Sequence, residues 1–280
     1  MIDITYGVLN YNPNQDAIAT KSYTEAVESL YNNRDPVFKS DVYLIDQGSQ
    51  PDVTEQLARK FNFHSILLRK NVGISRGINL IANLARSKYV SLVTSDIVFH
   101  KGTDTRLVTQ CELNPDIYQI CPVSDNTSLD HQLGWAANEN ATLVDCLAQE
   151  LTVQFWPYKV FDSIGYFDER WKACYENMDF ALRIFASGGR VVIDPGAFCN
   201  HRHSMCVKSG ARNHTYDGYI YMPNGFNQEF LTNMWNKKWP HINSYVNLYS
   251  RLTNSEILRS KIKELYGDNI YLPYRQEVNY

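Results

Sequence analysis

Tyr89-Val90-Ser91-Leu92-Val93-Thr94-Ser95-Asp96 is an apolar run that stops at a polar cluster ending in a carboxylate. The run has the length and β-branched content of a strand, and the cluster has turn chemistry. Just upstream, Ile74, Ile78, Ile81 and Leu84 recur at helical spacing. Before them Ser65-Ile66-Leu67-Leu68 reads as a strand, and Val53, Leu57 and Phe61 as one helix face. Further back, Val42-Tyr43-Leu44-Ile45 stops at the turn cluster Asp46-Gln47-Gly48-Ser49. Tyr23, Val27, Leu30 and Tyr31 share a helix face, and Ile4, Tyr6 and Val8 alternate as a strand does. Strand and helix alternating in this way predict parallel β-α-β units with right-handed crossovers, hence an α/β fold.

Ligands of such sheets bind outside the carboxyl ends of the strands. Four polar clusters stand there: Asn10-Tyr11-Asn12, Asp46-Gln47-Gly48-Ser49, Asn71-Val72-Gly73 and Thr94-Ser95-Asp96. Each alone is ordinary turn chemistry. Four in succession predict one polar rim.

Composition narrows the classes. The 280 residues are 44% hydrophobic and 20% charged, which fits a packed core and excludes global disorder. Lys+Arg 27 against Asp+Glu 30 leaves no basic excess to hold nucleic acid. No apolar stretch approaches the roughly 20 residues that span a bilayer, and no signal peptide is visible. The six cysteines, at 111, 121, 146, 174, 199 and 206, contain no C-x-x-C pair. Reduced thiols and a cytoplasmic location are therefore expected.

Beyond residue 100 the pattern loosens. Ile117 to Cys121 and Val191 to Ile193 read as strands, the second closed by the turn Asp194-Pro195-Gly196. Residues 124–140 read as loop, 143–149 as a short helix, and 152–156 as extended. Phe180, Ile184 and Phe185 fit a helix ending at Gly188-Gly189, and helical patterns return near 230–235 and 257–265. The Gly-, Asn- and Tyr-rich stretch 204–227 reads as a lid or a long surface excursion.

Four constellations are able to carry chemistry. Asp96 stands where a carboxylate holds a divalent cation against a diphosphate, although a turn-capping Asp looks the same. His201-Arg202-His203 offers a nitrogen ligand and a phosphate-binding fork, or simply a solvated loop. Glu176-Asn177-Met178-Asp179 opens a helix: either a well-capped terminus, or a carboxylate that takes a proton from an attacking hydroxyl. Asn71-Val72-Gly73-Ile74-Ser75-Arg76 leads into a helix whose first turn carries an arginine.

Taken in order, these pieces resemble glycosyltransferase family 2, including its rhamnosyltransferase-like members. Gly7-Val8-Leu9-Asn10-Tyr11-Asn12 resembles the family's first-strand motif, and Tyr43-Leu44-Ile45-Asp46-Gln47-Gly48-Ser49 its Asp-Asn-Gly-Ser motif. Asn71-x-Gly73 with Gly77-Ile78-Asn79 resembles the segment before the metal strand, and Thr94-Ser95-Asp96 falls at the D-x-D position. Val160 to Glu169 resembles the approach to the acceptor site, and Glu176 to Arg183 the Glu-Asp-x-Asp-Leu helix. Asp194 to His201 resembles the closing segment with its metal-proximal His. The match runs from about residue 2 to 203, and Trp235-Asn236-Lys237-Lys238-Trp239 is vaguely similar to the family's tail.

The resemblance implies a GT-A fold, a mostly parallel central sheet flanked by helices. It implies a transferase domain over 1–203, with donor half about 1–100 and acceptor half about 101–203. A lid-like loop and helical extension would follow over 204–280. Its activity would be transfer of a sugar, with inversion, from a UDP-, GDP- or dTDP-sugar to a saccharide or other hydroxyl acceptor. Asp46 would meet the base or ribose, with Val8, Leu9 and Asn10 lining that pocket and Asn71, Arg76 and Ser95 also serving the nucleotide. Asp96 would hold Mn²⁺ or Mg²⁺, with His201 as second ligand. Two departures stand out: Thr94 replaces the first acid of D-x-D, and Asn177 occupies the usual base position, where an amide cannot act. Glu176 or Asp179 would then be the base. A retaining enzyme and a catalytically silent domain that binds nucleotide or glycan are the alternatives.

Overall fold

The computed structural model describes residues 2–49, 51–171, 175–202, 228–240, 242 and 255–266. The stretch expected to form a lid, 204–227, lies outside the described residues. The chain order is β1 (Ile2–Asn10), α1 (Ala17–Asn33), β2 (Ser40–Gln47), α2 (Asp52–Phe61), β3 (His64–Leu68), α3 (Ile74–Leu84) and β4 (Ser87–Thr94). Then come β5 (Ile97–Phe99), α4 (Thr103–Leu113), β6 (Ile117–Ser124), β7 (Val144–Asp145), β8 (Val153–Pro157) and α5 (Lys159–Ile164). The described chain closes with α6 (Glu176–Ala186), β9 (Arg190–His201), α7 (Gln228–Lys238) and α8 (Ser255–Tyr266).

One sheet runs β3-β2-β1-β4-β8-β6-β9-β5, with β7 on β9. The first four strands pair in parallel, as the β-α-β alternation predicts. Antiparallel pairing enters at β8, which lies between β4 and β6. β1 and β4 are neighbours with Leu9 opposite Thr94, so their carboxyl ends reach the same edge side by side.

Two cores cover the two faces. Tyr23, Val27 and Leu30 of α1, Leu57 of α2 and Leu107 of α4 pack one face. Ile78 and Ile81 of α3, Phe161 of α5, Phe180 and Phe185 of α6, Trp235 of α7 and Ile262 of α8 pack the other. β1 is buried on both sides from Ile4 onward, although its sequence alternates as a half-buried strand would. Gly7 allows α3 to approach it: a Cβ there would stand 2.1 Å from Ile81 Cδ1. The start of α1 is fixed by Asp16, whose side chain accepts from the N–H groups of Ile18 and Ala19, both at 2.9 Å.

Two local expectations are corrected. Residues 143–149 form no helix; Val144 and Asp145 pair with Ile193 and Val192 of β9. A cross-strand partner decides there what a short apolar run cannot. Asp194-Pro195-Gly196 does not end the last strand either. The register with β6 jumps from Pro122–Asp194 to Val123–Phe198, so these residues bulge and β9 continues to His201. That continuation brings His201 opposite Ile97 of β5, beside Asp96.

Candidate active site

The end of β1 and the end of β2 share a buried carboxylate. Asp46 is 1% exposed and accepts from the Ser49 N–H at 2.7 Å, Asn10 Nδ2 at 3.2 Å and Thr54 Oγ1 at 3.3 Å. Burial pushes its carboxyl above the ordinary range, against those hydrogen bonds. Gly48 makes the turn possible: its φ is +82°, and a Cβ would stand 2.7 Å from Lys70 Cα. Ser49 Oγ accepts from the Asn12 N–H at 2.7 Å, joining the loops after β1 and β2. Between these loops and α1 lies a cavity of about 480 Å³ whose walls include Asn10, Asn12, Thr20, Tyr23, Ser49 and Val53.

Val8 and Leu9 do not line this cavity. Val8 is 0% exposed and packs with α1, while Leu9 packs against Gly77 of α3 on the opposite face. The pleat explains the correction: on a strand covered on both faces, the side chains before the last residue enter one core or the other. Asn71 and Arg76 flank the rim rather than this cavity. Asn71 Oδ1 accepts from the Gly73 N–H at 2.9 Å, shaping the entry to α3, and Arg76 Nε lies 3.5 Å from Glu169 Oε2. Ser95 offers its carbonyl to Ser22 Oγ at 3.3 Å, which ties the β4 turn to α1.

At the end of β4, Asp96 is 9% exposed. Its Oδ1 accepts from Thr94 Oγ1 at 2.9 Å, and its Oδ2 lies 3.4 Å from His201 Nε2. Burial alone would raise the Asp96 carboxyl, but the hydrogen bond and charge of His201, with Thr94, hold it below its usual range. Burial alone would lower the His201 imidazole, yet Asp96 raises it. His201 Nδ1 lies 2.9 Å from the Asn126 carbonyl, and the His201 N–H donates to Asp125 Oδ1 at 2.8 Å. Nδ1 thus faces a carbonyl, and Nε2 is the ring nitrogen turned towards the Asp96 carboxylate. One carboxylate and one imidazole are chemically suited to Mn²⁺ or Mg²⁺, but only as a partial ligand set. No group of three or more His, Cys, Asp or Glu side chains able to hold a metal exists among the described residues. Thr94, in place of an acid, supports Asp96 through its hydroxyl instead of adding a ligand.

The acids that open α6 separate sharply. Asp179 is 0% exposed and saturated: Arg183 Nε at 3.3 Å, Trp239 Nε1 at 2.8 Å and Lys238 Nζ at 2.6 Å surround it. Both oxygens of this carboxylate are occupied and enclosed, so the geometry favours Glu176 over Asp179 for the role of base. Glu176 is also buried, yet its Oε2 has no hydrogen-bond partner among the described residues. Burial pushes its carboxyl up to about 7, partly offset by its own N–H. Tyr175, just before it, has φ 63°, a strained conformation for a bulky residue, and its ring stacks on Trp235 at 5.0 Å.

Asn177 is part of a buried amide network that the sequence does not announce. Its Nδ2 donates to the Gln149 carbonyl, and its Oδ1 accepts from Gln119 Nε2 at 2.9 Å. Gln119 Nε2 also lies 2.8 Å from Gln149 Oε1 and 2.7 Å from Gln154 Oε1. Three scattered glutamines reveal themselves only once β6, β8 and α6 are packed. The segment that follows Gln149 also reaches the end of β4: the Thr94 N–H donates to the Thr152 carbonyl at 3.1 Å.

The profile of glycosyl transferase family 2 matches residues 20–190. No curated protein matches the sequence. Among solved structures, S. aureus TarS 1-349 is 17% identical with a TM-score of 0.55, over 71% of this chain and 60% of that one. The complex of the same TarS fragment with UDP-GlcNAc aligns at 15% identity and a TM-score of 0.60, over 93% and 71%. The mannosyltransferase PcManGT from Pyrobaculum calidifontis, in complex with GDP-Man and Mn2+, is 15% identical with a TM-score of 0.57, over 75% and 61%. GalNAc-T7 with UDP, GalNAc and Mn2+ is 12% identical with a TM-score of 0.59, over 94% and 54%. This chain thus spans about 60% of the first of these relatives. At such identities the likeness establishes a shared fold.

Proposed function

The chain belongs to glycosyl transferase family 2 and has the GT-A fold, and on that premise we propose that it transfers a sugar from a nucleoside-diphosphate donor to a hydroxyl acceptor, with inversion. The observation that carries the reading is an adjacency. The 480 Å³ cavity, with Asn10 on its wall and Asp46 bonded to Asn10, and the Asp96–His201 pair stand at the ends of neighbouring strands β1 and β4. A nucleoside diphosphate bridges such a pair of sites, base at one and diphosphate at the other. TarS, PcManGT and GalNAc-T7 are crystallised with UDP-GlcNAc, GDP-Man and UDP respectively, which supports a donor of this class.

Asn10 and Asp46 bind and orient the base or ribose; Asn71, Arg76 and Ser95 shape the rim around the diphosphate. Asp96 and His201 would hold Mn²⁺ or Mg²⁺. When bound, the cation neutralises charge on the departing diphosphate. Glu176 takes the proton of the acceptor hydroxyl as its oxygen attacks the anomeric carbon and the bond to the diphosphate breaks on the opposite side. A carboxyl raised by burial is a stronger base than an exposed one, and its Oε2 has no partner among the described residues to compete for the proton. The residues given these roles all lie within 1–203, and α7 and α8 complete the core beneath them.

Two experiments test this. A thermal-shift screen of UDP-, GDP- and dTDP-sugars, with and without Mn²⁺, should show one family of donors raising Tm only when the cation is present. Asp96→Ala should abolish the Mn²⁺-dependent part and cut donor hydrolysis; equal turnover in the variant and the wild type would rule out the role given to Asp96. A silent nucleotide- or glycan-binding domain is the second reading, favoured by Asn177 and by the two-residue cation set. Tight nucleotide binding with no turnover across a broad acceptor panel would establish it.

A further inference from the structure

We propose that the cavity beside α4 binds a neutral saccharide on Trp135 as a stacking platform; this rests on the transferase reading, because it assigns the site to the part of the acceptor that does not react. The cavity holds about 660 Å³, and its walls include His100, Thr105, Arg106, Thr109, Trp135 and Phe198. It shares no wall residue with the 480 Å³ cavity.

Trp135 is 77% exposed, whereas Trp156, Trp171, Trp235 and Trp239 are each 2% exposed or less. Its backbone is nevertheless pinned on both sides. The Gly134 N–H donates to the Ser124 carbonyl at 2.9 Å, and the Asn138 N–H to the Pro195 carbonyl at 2.6 Å. Gly134 sits so close to β6 that a Cβ would stand 2.7 Å from Val123 Cγ2. An indole held out to solvent by an anchored loop is a preformed surface, and little ordering entropy is lost when a ligand covers it. The apolar face of a pyranose stacks on such a ring while its hydroxyls face the polar walls.

Charge narrows the class. Lys101 and Glu139 line the cavity with opposite sign, and Arg106 is met by Asp194, with Nε 2.8 Å from Oδ2. The formal charges cancel, which favours a neutral saccharide over a phosphorylated or uronic one. Position fits as well. Phe198 precedes His201 by three residues on β9, about 10 Å at roughly 3.3 Å per residue. The proposal places the reacting end of the saccharide beside Asp96 and the rest of it over Trp135. Binding energy gathered there serves to orient the reacting end.

The test uses the full chain. Because the other four tryptophans are buried, acrylamide quenching of the long-wavelength emission reports on Trp135. The probes are cellohexaose, maltohexaose, chitohexaose and mannohexaose, with polygalacturonate as the anionic arm. At least one neutral probe should shield Trp135. By calorimetry, Trp135→Ala should bind that probe ~10-fold more weakly and Trp135→Phe should recover most of the affinity. Shielding by none of the neutral probes, or by polygalacturonate alone, overturns the proposal, as does equal affinity of the alanine variant. Sedimentation showing a wild-type dimer that the alanine variant dissolves also overturns it, since a second copy would then cover the ring. The nucleotide-sugar thermal shift separates the two readings. A shift without shielding sinks this site alone; shielding without a shift sinks the transferase reading alone.

Discussion

Burial pushes the Glu176 carboxyl up to about 7, so its charge changes near neutral pH. Acting as a base, it must be ionised, so transfer should rise with pH through about 7 and level off above it. Glu176→Gln should lower kcat by about 10²–10⁴-fold and abolish that limb of the pH profile, measured with saturating donor. Stability moves the other way. The folded-state value lies above the unfolded one, so the neutral form's contribution is full below the unfolded value, 4.5, and is lost as pH rises through about 7. Glu176→Gln should therefore raise Tm more at pH 8 than at pH 5, by up to about 3 kcal/mol in unfolding free energy. Asn177→Asp should not yield a better enzyme. It replaces an amide donor by a carboxylate oxygen against the Gln149 carbonyl, and urea unfolding should show a loss of about 1–3 kcal/mol. At this scale the sequence displays the acids but not their states. Glu176 and Asp179 look equivalent on one helix turn, and what separates them is Trp239, sixty residues further along.

Among the elements, α7 acts as a clamp. Lys238 Nζ lies 2.7 Å from Asp168 Oδ2 and 2.6 Å from Asp179 Oδ1, while Trp235 stacks on Tyr175. The clamp thus fixes both ends of the segment that presents Glu176. Burial alone would raise the Asp168 carboxyl, but Arg170 and Lys238 hold it far below its usual range. Its contribution to stability is present above the ordinary carboxylate range and is lost on acidification. Lys238→Met should cost about 1–3 kcal/mol at neutral pH, because each carboxylate keeps an arginine and the ammonium is partly exposed. That cost should shrink in acid urea titrations. The regular β-α-β half was legible because apolar period alone specifies it. β7 was not, since two residues carry no period, and α4 was missed because its apolar face is weakly marked. The long β9 was hidden by a Pro-Gly bulge that locally has turn chemistry.

At the scale of the whole molecule, α7 and α8 are not an appendage on a finished core. Trp235, Trp239, Leu258 and Ile262 belong to the same buried cluster as Trp171, Phe180 and Phe185. Burying each is worth about 1.5–3 kcal/mol, and four together rival the ~5–15 kcal/mol net stability of a domain. A chain ended at residue 202 should keep its far-ultraviolet dichroism, lose cooperative melting and bind a hydrophobic dye. Family and fold were readable from ordered motifs, because those motifs sit at strand ends that the sheet brings to one edge. The partner surfaces contributed by the last helices have no such signature. The placement of β8 also has a consequence for biogenesis. On the ribosome, β1 to β4 emerge first and pair with one another, yet the outer edge of β4 waits for a strand made well after β6. During that interval an unpaired, apolar edge is open to neighbouring nascent chains, so slowing translation between β4 and β8 should increase aggregation rather than relieve it.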